Sequence, residues 1–178
     1  MTERFDAYCR RKQMAARSAT IPGYTTIASD VRGLTGVGTA WSRTLFDGDF
    51  YRCTRARIAD VPIVSLVFVQ SRDGNTVVSD PSALGGGATD LHLVYEGLSR
   101  VDADAVLAGA ATARSRELVF SVWHPDLVNL RLALGHARHP AQVVVTDRGT
   151  LRFEDGLMFQ EPSLRVFVIT RTSVADEI

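Results

Sequence analysis

Four short apolar runs, rich in Val, Ile, Phe and Ala, constrain the fold of this chain more than any other feature. Such runs are typical of strands buried on both faces, as in parallel sheets. Segments with helical spacing lie between several of them, and strands alternating with helices indicate right-handed crossovers and a layered α/β sheet. The runs are Ile63 to Val69 (IVSLVFV), Ala105 to Thr112 (AVLAGAAT), Gln142 to Asp147 (QVVVTD) and Arg165 to Thr170 (RVFVIT).

Helical periodicity fills the first two connections between these runs. After a Thr89-Asp90 start signal, the apolar residues recur at helical spacing, and residues 126 to 137 form a second helical pattern that meets Gly135 near its end. The apolar positions of the two patterns are Leu91, Val94, Tyr95, Leu98 and Val101, then Leu127, Leu130 and Leu134.

The first 60 residues have a different pattern. Residues 3 to 19 predict a short amphipathic helix, and from Ile21 to about Tyr51 the periodicity disappears, which predicts an irregular arm. Gly36-Val37-Gly38 follows no strand and lacks a third glycine, so it does not support a dinucleotide fingerprint. We therefore divide the chain into an N-terminal helix and arm, 1–60, and an α/β domain, 61–178.

Composition excludes several classes of function. With 178 residues, 46% of them hydrophobic, the chain is long enough for a real core. Twenty acidic and 20 basic residues balance, so no electrostatic attraction to nucleic acid or to an anionic membrane is expected. No apolar run reaches the roughly 18 residues of a membrane span, and the N-terminus lacks a signal-peptide core, so we expect a cytoplasmic protein.

No metal or disulfide framework is predicted. Cys9 and Cys53 are far apart in the sequence, which makes them most simply two ordinary thiols. His136 and His139 are three residues apart, yet no Cys or paired carboxylate completes a metal-ligand spacing.

Polar residues follow each of the four apolar runs. Ligands of open α/β sheets gather at the carboxyl ends of the strands, so these residues could line one crevice. A local turn explains Asp73-Gly74 about as well as catalysis does, and tight packing explains the small residues after the second run equally well. The four polar sets are Ser71 to Asp73, Gly109 to Thr112, Thr146 to Arg148 and Thr170 to Thr172.

Three stretches in sequence order resemble the riboflavin-pathway pyrimidine reductases of the dihydrofolate-reductase-like superfamily. They are IVSLVFVQSRDGNTVVSD, ADAVLAGAATARSRE and HPAQVVVTDRGTL, and the match covers about residues 61 to 172. The resemblance implies a dihydrofolate-reductase-like, mostly parallel sheet with flanking helices. It also implies an NADPH-dependent reductase that transfers hydride to a phosphoribosylaminopyrimidine or a related small molecule, and a homodimer.

The resemblance also implies roles for individual residues. Asp73, as catalytic residue, and Ser71 would lie beside the substrate, and Arg100 would bind the substrate phosphate. Asp147 would meet the adenosine ribose or its 2′-phosphate. Because like charges repel, Arg148 or Arg116 would have to compensate the charge of Asp147. The choice between NADPH and NADH as cofactor is therefore left open. The remaining cofactor-binding positions would be Val69, Gly109, Ala110 and Thr112.

Some features depart from that family. Gly109-Ala110-Ala111-Thr112 replaces a Gly-x-Gly-Thr loop, Gly85-Gly86-Gly87 replaces a tryptophan segment, and the family's C-terminal glycine-rich loop is expected but does not follow the fourth run. An alternative is therefore a non-catalytic or truncated module that retains the fold for ligand binding or oligomerisation. A third possibility is another reductase of the same superfamily with a different pyrimidine or pterin substrate.

Overall fold

The computed structural model describes residues 1–25, 30–46, 50–53, 61–67, 70–71, 73–74 and 87–175. Its strands are β1 (Leu34–Val37), β2 (Phe50–Cys53), β3 (Ala105–Gly109), β4 (Ala141–Val145) and β5 (Val166–Ile169). A π-helix spans Thr89–Leu98, and the α-helices are α1 (Glu3–Ser18), α2 (Ala40–Arg43), α3 (Ser99–Val101), α4 (Ala110–Ala113), α5 (Pro125–Ala133), α6 (Leu157–Gln160) and α7 (Thr172–Ala175).

The second half of the chain forms a three-stranded parallel sheet. Its strand order is β3-β4-β5, with Leu107 opposite Val143 and Val143 opposite Phe167. Helix α5 lies between β3 and β4 in the chain, and α6 lies between β4 and β5. The prediction of a layered α/β arrangement with a parallel sheet and flanking helices is confirmed at this level.

One face of the sheet packs against the N-terminal helix. Phe5 and Tyr8 of α1 share a buried cluster with Trp123, Val144 and Leu157. The hydroxyl of Tyr8 accepts a hydrogen bond from the backbone N–H of Val119, and burial raises the pKa of this tyrosine. The predicted boundary at residue 60 therefore marks a change in sequence pattern, while the core itself includes α1.

The segment after α1 is more ordered than the predicted irregular arm. β1 and β2 pair as an antiparallel ribbon, with Leu34 opposite Cys53 and Val37 opposite Phe50. Four-residue strands give too little periodicity to be recognised, because an alternating pattern needs several repeats to stand out.

The predicted helix after Thr89 forms, but with a different buried face. The structure buries Leu93, Gly97 and Leu98, whereas Leu91 and Tyr95 are each 40% exposed. A π-helix closes its hydrogen bonds over five residues instead of four, so the buried face has a different phase from that of an α-helix. Leu91 and Tyr95, which recur at α-helical spacing in the sequence, therefore lie outside the buried face.

The first of the four apolar runs is not a buried strand where the structure describes it. Residues 61–67 have no regular secondary structure, and Val64 and Leu66 are 81% and 80% exposed. Strand propensity reflects packing against neighbours, so an apolar run without a paired neighbour stays irregular. The other three runs form the strands β3, β4 and β5, but burial on both faces is wrong, because Leu107, Phe167 and Ile169 on one face of the sheet are 67%, 54% and 51% exposed.

Candidate functional site

A cleft of about 340 Å³ lies at the carboxyl ends of β3 and β4. Parallel neighbours end at the same edge of a sheet, which is why residues distant in sequence meet there. Three of the predicted cofactor-binding residues, Ala110, Asp147 and Arg148, lie together in it. Within the described ranges the lining residues are Ala110, Arg114, Val145, Thr146, Asp147 and Arg148.

The turn after β4 positions Asp147 and Arg148. The buried Thr146 ends the strand ladder by donating its backbone N–H to the carbonyl of Ile169 at 2.9 Å. Its hydroxyl accepts the backbone N–H of Gly149 at 3.1 Å, and Gly149 has a positive φ of 67°, which favours glycine. The two residues between them are therefore exposed at the tip of a tight turn.

The carboxylate of Asp147 has an arginine partner from the neighbouring strand end. Arg171, two residues after β5, places its Nε 2.8 Å from Oδ1 of Asp147 and also donates to the Asp147 carbonyl at 3.1 Å. Both side chains are well exposed, so the pair contributes little to stability. It does place a guanidinium beside the only acidic side chain that lines the cleft within the described part of the chain.

Arg114 adds a further positive charge on the other side of the cleft. It follows α4 directly, and its Nε donates to the carbonyl of Thr150 at 3.1 Å. Arg114 and Arg148 line the cleft and Arg171 pairs with Asp147, so three arginines and one carboxylate lie at this edge of the sheet and the local charge is positive. This favours anionic ligands, since arginine binds phosphate and carboxylate groups well.

The junction between β3 and α4 is open to a ligand. Gly109 is the last residue of β3 and Ala110 the first of α4. A Cβ built at Gly109 would meet no atom of the described residues within 4 Å, so this part of the structure leaves open space there. Thr112 is exposed on α4 but is not among the described residues that line the cleft.

The residues Ser71 and Asp73 form a local turn. The hydroxyl of Ser71 donates to the carboxylate of Asp73, and the Ser71 carbonyl accepts the N–H of Gly74 at 2.9 Å. Gly74 has a φ of 89°. The part of the chain that the structure describes gives no contact between this turn and the cleft, so the turn interpretation accounts for what is observed, and the substrate roles of Ser71 and Asp73 stay predictions.

Arg100 lies at the other end of the sheet, before β3. Its Nη1 donates to the carbonyl of Ser121 at 3.3 Å, and its guanidinium carbon lies 4.2 Å from the ring centroid of Tyr95 and 5.3 Å from that of Phe120. The side chain is 4% exposed, and burial lowers the pKa of the guanidinium. The structure does not bring Arg100 together with Asp147, so its predicted phosphate role has no support from this position.

Two other predicted cofactor residues are not placed in the cleft. Arg116 donates its Nε to the carboxylate of Asp155 at 2.8 Å, so it does not compensate the charge of Asp147. Val69 lies outside the described residues.

Sequence reasoning missed Arg114 and the role of Arg171. Arg171 was inside the polar set Thr170 to Thr172, and its position directly after a strand was the available signal. Arg114 lies one helical turn beyond the small-residue loop, and a helical projection from Gly109 could have found it.

Comparisons with known proteins give no relative. No family model, curated protein or solved structure matches the chain. Within the described residues, no helix is both long and apolar enough to cross a membrane, and no group of three or more His, Cys, Asp or Glu side chains is arranged to hold a metal ion.

Proposed function

We propose that this chain is an NADPH-dependent pyrimidine reductase-like protein of the riboflavin-pathway type, with the nucleotide bound across the carboxyl ends of β3 and β4. The observation that carries the proposal is the strand-end cleft, which is lined by Arg114, Asp147 and Arg148 and has Arg171 paired to Asp147. A nucleotide phosphate fits this donor set, because arginine binds phosphate groups well.

The ion pair bears on cofactor choice. An unpaired Asp147 would accept the ribose hydroxyls of NADH and repel the 2′-phosphate of NADPH. Because Arg171 lies 2.8 Å from the carboxylate, that repulsion is reduced, and Arg148 is exposed beside it. We therefore expect NADPH to bind more tightly than NADH.

The chemistry of the bound cofactor would be hydride donation from its nicotinamide. The chain would bind the phosphates through arginine and let the cofactor approach the backbone at Gly109 and Ala110. A hydride acceptor needs orientation more than a nucleophile, so residues that position a small-molecule substrate suffice. Homodimer formation and a cytoplasmic location remain predictions.

Calorimetric titration with NADPH and with NADH tests the proposal. We expect saturable binding, weaker with NADH, and a loss of about tenfold in NADPH affinity in the double variant Arg114→Gln/Arg148→Gln, as removal of two phosphate contacts should produce. The matched control is Arg116→Gln, which removes an exposed arginine that is paired to Asp155 outside the cleft. Equal loss in the control, or no binding of either nucleotide, would contradict the proposal.

A second candidate function is nucleotide binding without catalysis. It is favoured by the buried position of Arg100, which leaves the described cleft without the predicted ligand of the substrate phosphate. Cofactor binding without oxidation of NADPH in the presence of ribosylaminopyrimidines and pterins would support it. Turnover that Asp73→Asn abolishes would instead support the reductase.

A further inference from the structure

A second groove lies between the first turn of α2 and one face of α5. Its volume is about 430 Å³, within the range of small-ligand sites. Within the described residues it shares no lining residue with the strand-end cleft. The lining consists of Thr39, Ala40, Trp41, Asp126, Asn129, Leu130 and Ala133.

The wall formed by Trp41 has a fixed orientation. The indole stacks on the imidazole of His124 with ring centroids 3.6 Å apart and planes inclined by 5°. A capping box between Thr39 and Ser42 holds the start of α2. On the other side of the stack, His124 caps α5 by accepting the backbone N–H of Asp126 at 3.3 Å. Both rings are thus tied to helix starts, and the groove has a planar aromatic wall.

Two polar side chains of the groove, Asp126 and Asn129, make no hydrogen bond or ion pair within the described part of the chain, and they lie one turn apart on α5. Asp126 interacts electrostatically with the nearby His124, and the hydroxyl of Thr39 accepts the N–H of Ser42 in the cap of α2. Leu130 and Ala133 continue the same helix face as an apolar floor. Asp126 carries the only formal charge among the described lining residues, so the groove has the opposite charge preference from the arginine-rich cleft.

A carboxylate beside an indole and an aliphatic floor selects a particular kind of group. The ligand should be cationic, planar enough to stack on the indole, and attached to a short apolar stem. A guanidinium meets these conditions better than an ammonium. It is flat, is weakly hydrated, and presents several N–H donors that both a carboxylate and an amide oxygen can accept.

We propose that this groove binds a guanidinium group, stacked on Trp41 and hydrogen-bonded to Asp126 and Asn129. The group could belong to a free small molecule or to an arginine side chain of a peptide, since the chemistry is the same. This site does not depend on the proposed reductase function, because none of its residues lies in the strand-end cleft.

Titration of the full chain with ethylguanidinium, followed by intrinsic fluorescence, tests the proposal. Trp123 is 0% exposed, so a ligand-induced change reports on Trp41. Ethylurea is the matched probe because it has nearly the same shape without the charge. We expect saturable binding of ethylguanidinium at millimolar concentration, weakened by salt, and binding of ethylurea weaker by about fivefold or more. Equal affinity for the two probes, or no saturation with ethylguanidinium, would overturn the proposal.

Substitutions locate the site. Asp126→Asn keeps the size of the side chain and should weaken ethylguanidinium binding by about fivefold or more, whereas Glu154→Gln, an exposed charge outside the groove, should leave it unchanged. Thermal unfolding of each variant checks that the fold is intact. Unaltered affinity in Asp126→Asn would show that the probe binds elsewhere.

A second titration, with an arginine-containing peptide, distinguishes the two sources of the guanidinium group. A capped arginine peptide that binds more tightly than ethylguanidinium, with the same dependence on Asp126, assigns the site to a protein side chain. A peptide that binds no better than ethylguanidinium assigns it to a small molecule.

Discussion

Thr2 donates two hydrogen bonds to one carboxylate oxygen of Glu161, from its backbone N–H at 2.8 Å and from its hydroxyl at 2.9 Å. The same hydroxyl accepts the N–H of Phe5 at 3.3 Å and so caps α1. Glu161 is 2% exposed and directly follows α6. The contact therefore links the N-terminus of α1 to the residue that directly follows α6.

Replacement of Glu161 by Gln should destabilise the protein by about 1.5–3 kcal/mol, because hydrogen bonds to a charged group are lost and a buried donor is left without its acceptor. Urea unfolding of both proteins at neutral pH measures the difference. Glu154→Gln, at an exposed position, is the control and should change stability by less than about 0.5 kcal/mol.

The same contact predicts an acid dependence. Burial alone would raise the pKa of Glu161, but hydrogen bonds from Ser163 and Thr2 lower it to about 2. The ordinary pKa of a glutamate in an unfolded chain is about 4.3. The stabilisation is thus complete above that pH and is lost as pH falls toward 2. Glu161→Gln should remove this part of the pH dependence; an unchanged profile would contradict the assignment.

The buried side chain of Arg131 donates hydrogen bonds to several backbone carbonyls. Its guanidinium donates to the carbonyls of Arg100 at 2.9 Å, Ala103 at 2.7 Å and Ala137 at 2.7 Å, and it is 1% exposed. Arg131→Met should cost about 3 kcal/mol or more, because several buried carbonyls lose their donor at once. Chemical unfolding measures this loss, and Arg10→Met on the exposed face of α1 should be nearly neutral.

Two glycine substitutions should affect different properties, one the stability of the fold and the other nucleotide binding. A Cβ at Gly97 would lie 2.7 Å from the carbonyl oxygen of His92 and 2.7 Å from Cδ1 of Leu127, so Gly97→Ala should destabilise the protein by about 1–3 kcal/mol. Gly109→Ala meets nothing within 4 Å and should leave stability unchanged while it weakens nucleotide binding in the cleft. Thermal unfolding and NADPH titration of both variants distinguish the two effects.

The lowered pKa of His139 predicts that the folded state loses stability in mild acid. Burial, with Arg138 and Arg131 nearby, lowers the pKa of His139 to about 4, and its Nδ1 lies 2.8 Å from the hydroxyl oxygen of Ser121. An unfolded histidine has a pKa of about 6.5, so between pH 6.5 and 4 the unfolded state binds the extra proton. Stability should therefore fall as pH drops through this window. His139→Asn should flatten the slope of unfolding free energy against pH there, and an unchanged slope would assign it to another group.

Secondary structure was predicted correctly where it depends on the periodicity of apolar residues along a short segment. The spacing of apolar residues predicted α1, and the helical pattern over residues 126 to 137 predicted α5, because helix periodicity depends on neighbours within a few residues; α5 itself ends earlier, at Ala133. The apolar runs also predicted β3, β4 and β5, which pair in chain order through crossover connections. The positions of Ala110, Asp147 and Arg148 in one cleft followed from the shared direction of parallel strands.

Other features depended on contacts that no local pattern contains. The apolar run before Gln70 predicted a buried strand, yet Val64 and Leu66 are exposed, because a strand requires a paired neighbour as well as propensity. Arg100 looked like a phosphate ligand, but packing against Tyr95 and Phe120 turned it inward.

The sequence by itself determined the α/β class, the presence of α1 and α5, and which residues follow β3, β4 and β5, since these depend on periodicity and on order along the chain. Only the tertiary structure decided that Arg171 neutralises Asp147, that Arg114 faces the same cleft, and that Trp41 stacks on His124. The physical reason is that charge pairing and ring stacking act over a few ångströms in space, between residues that the sequence alone does not bring together.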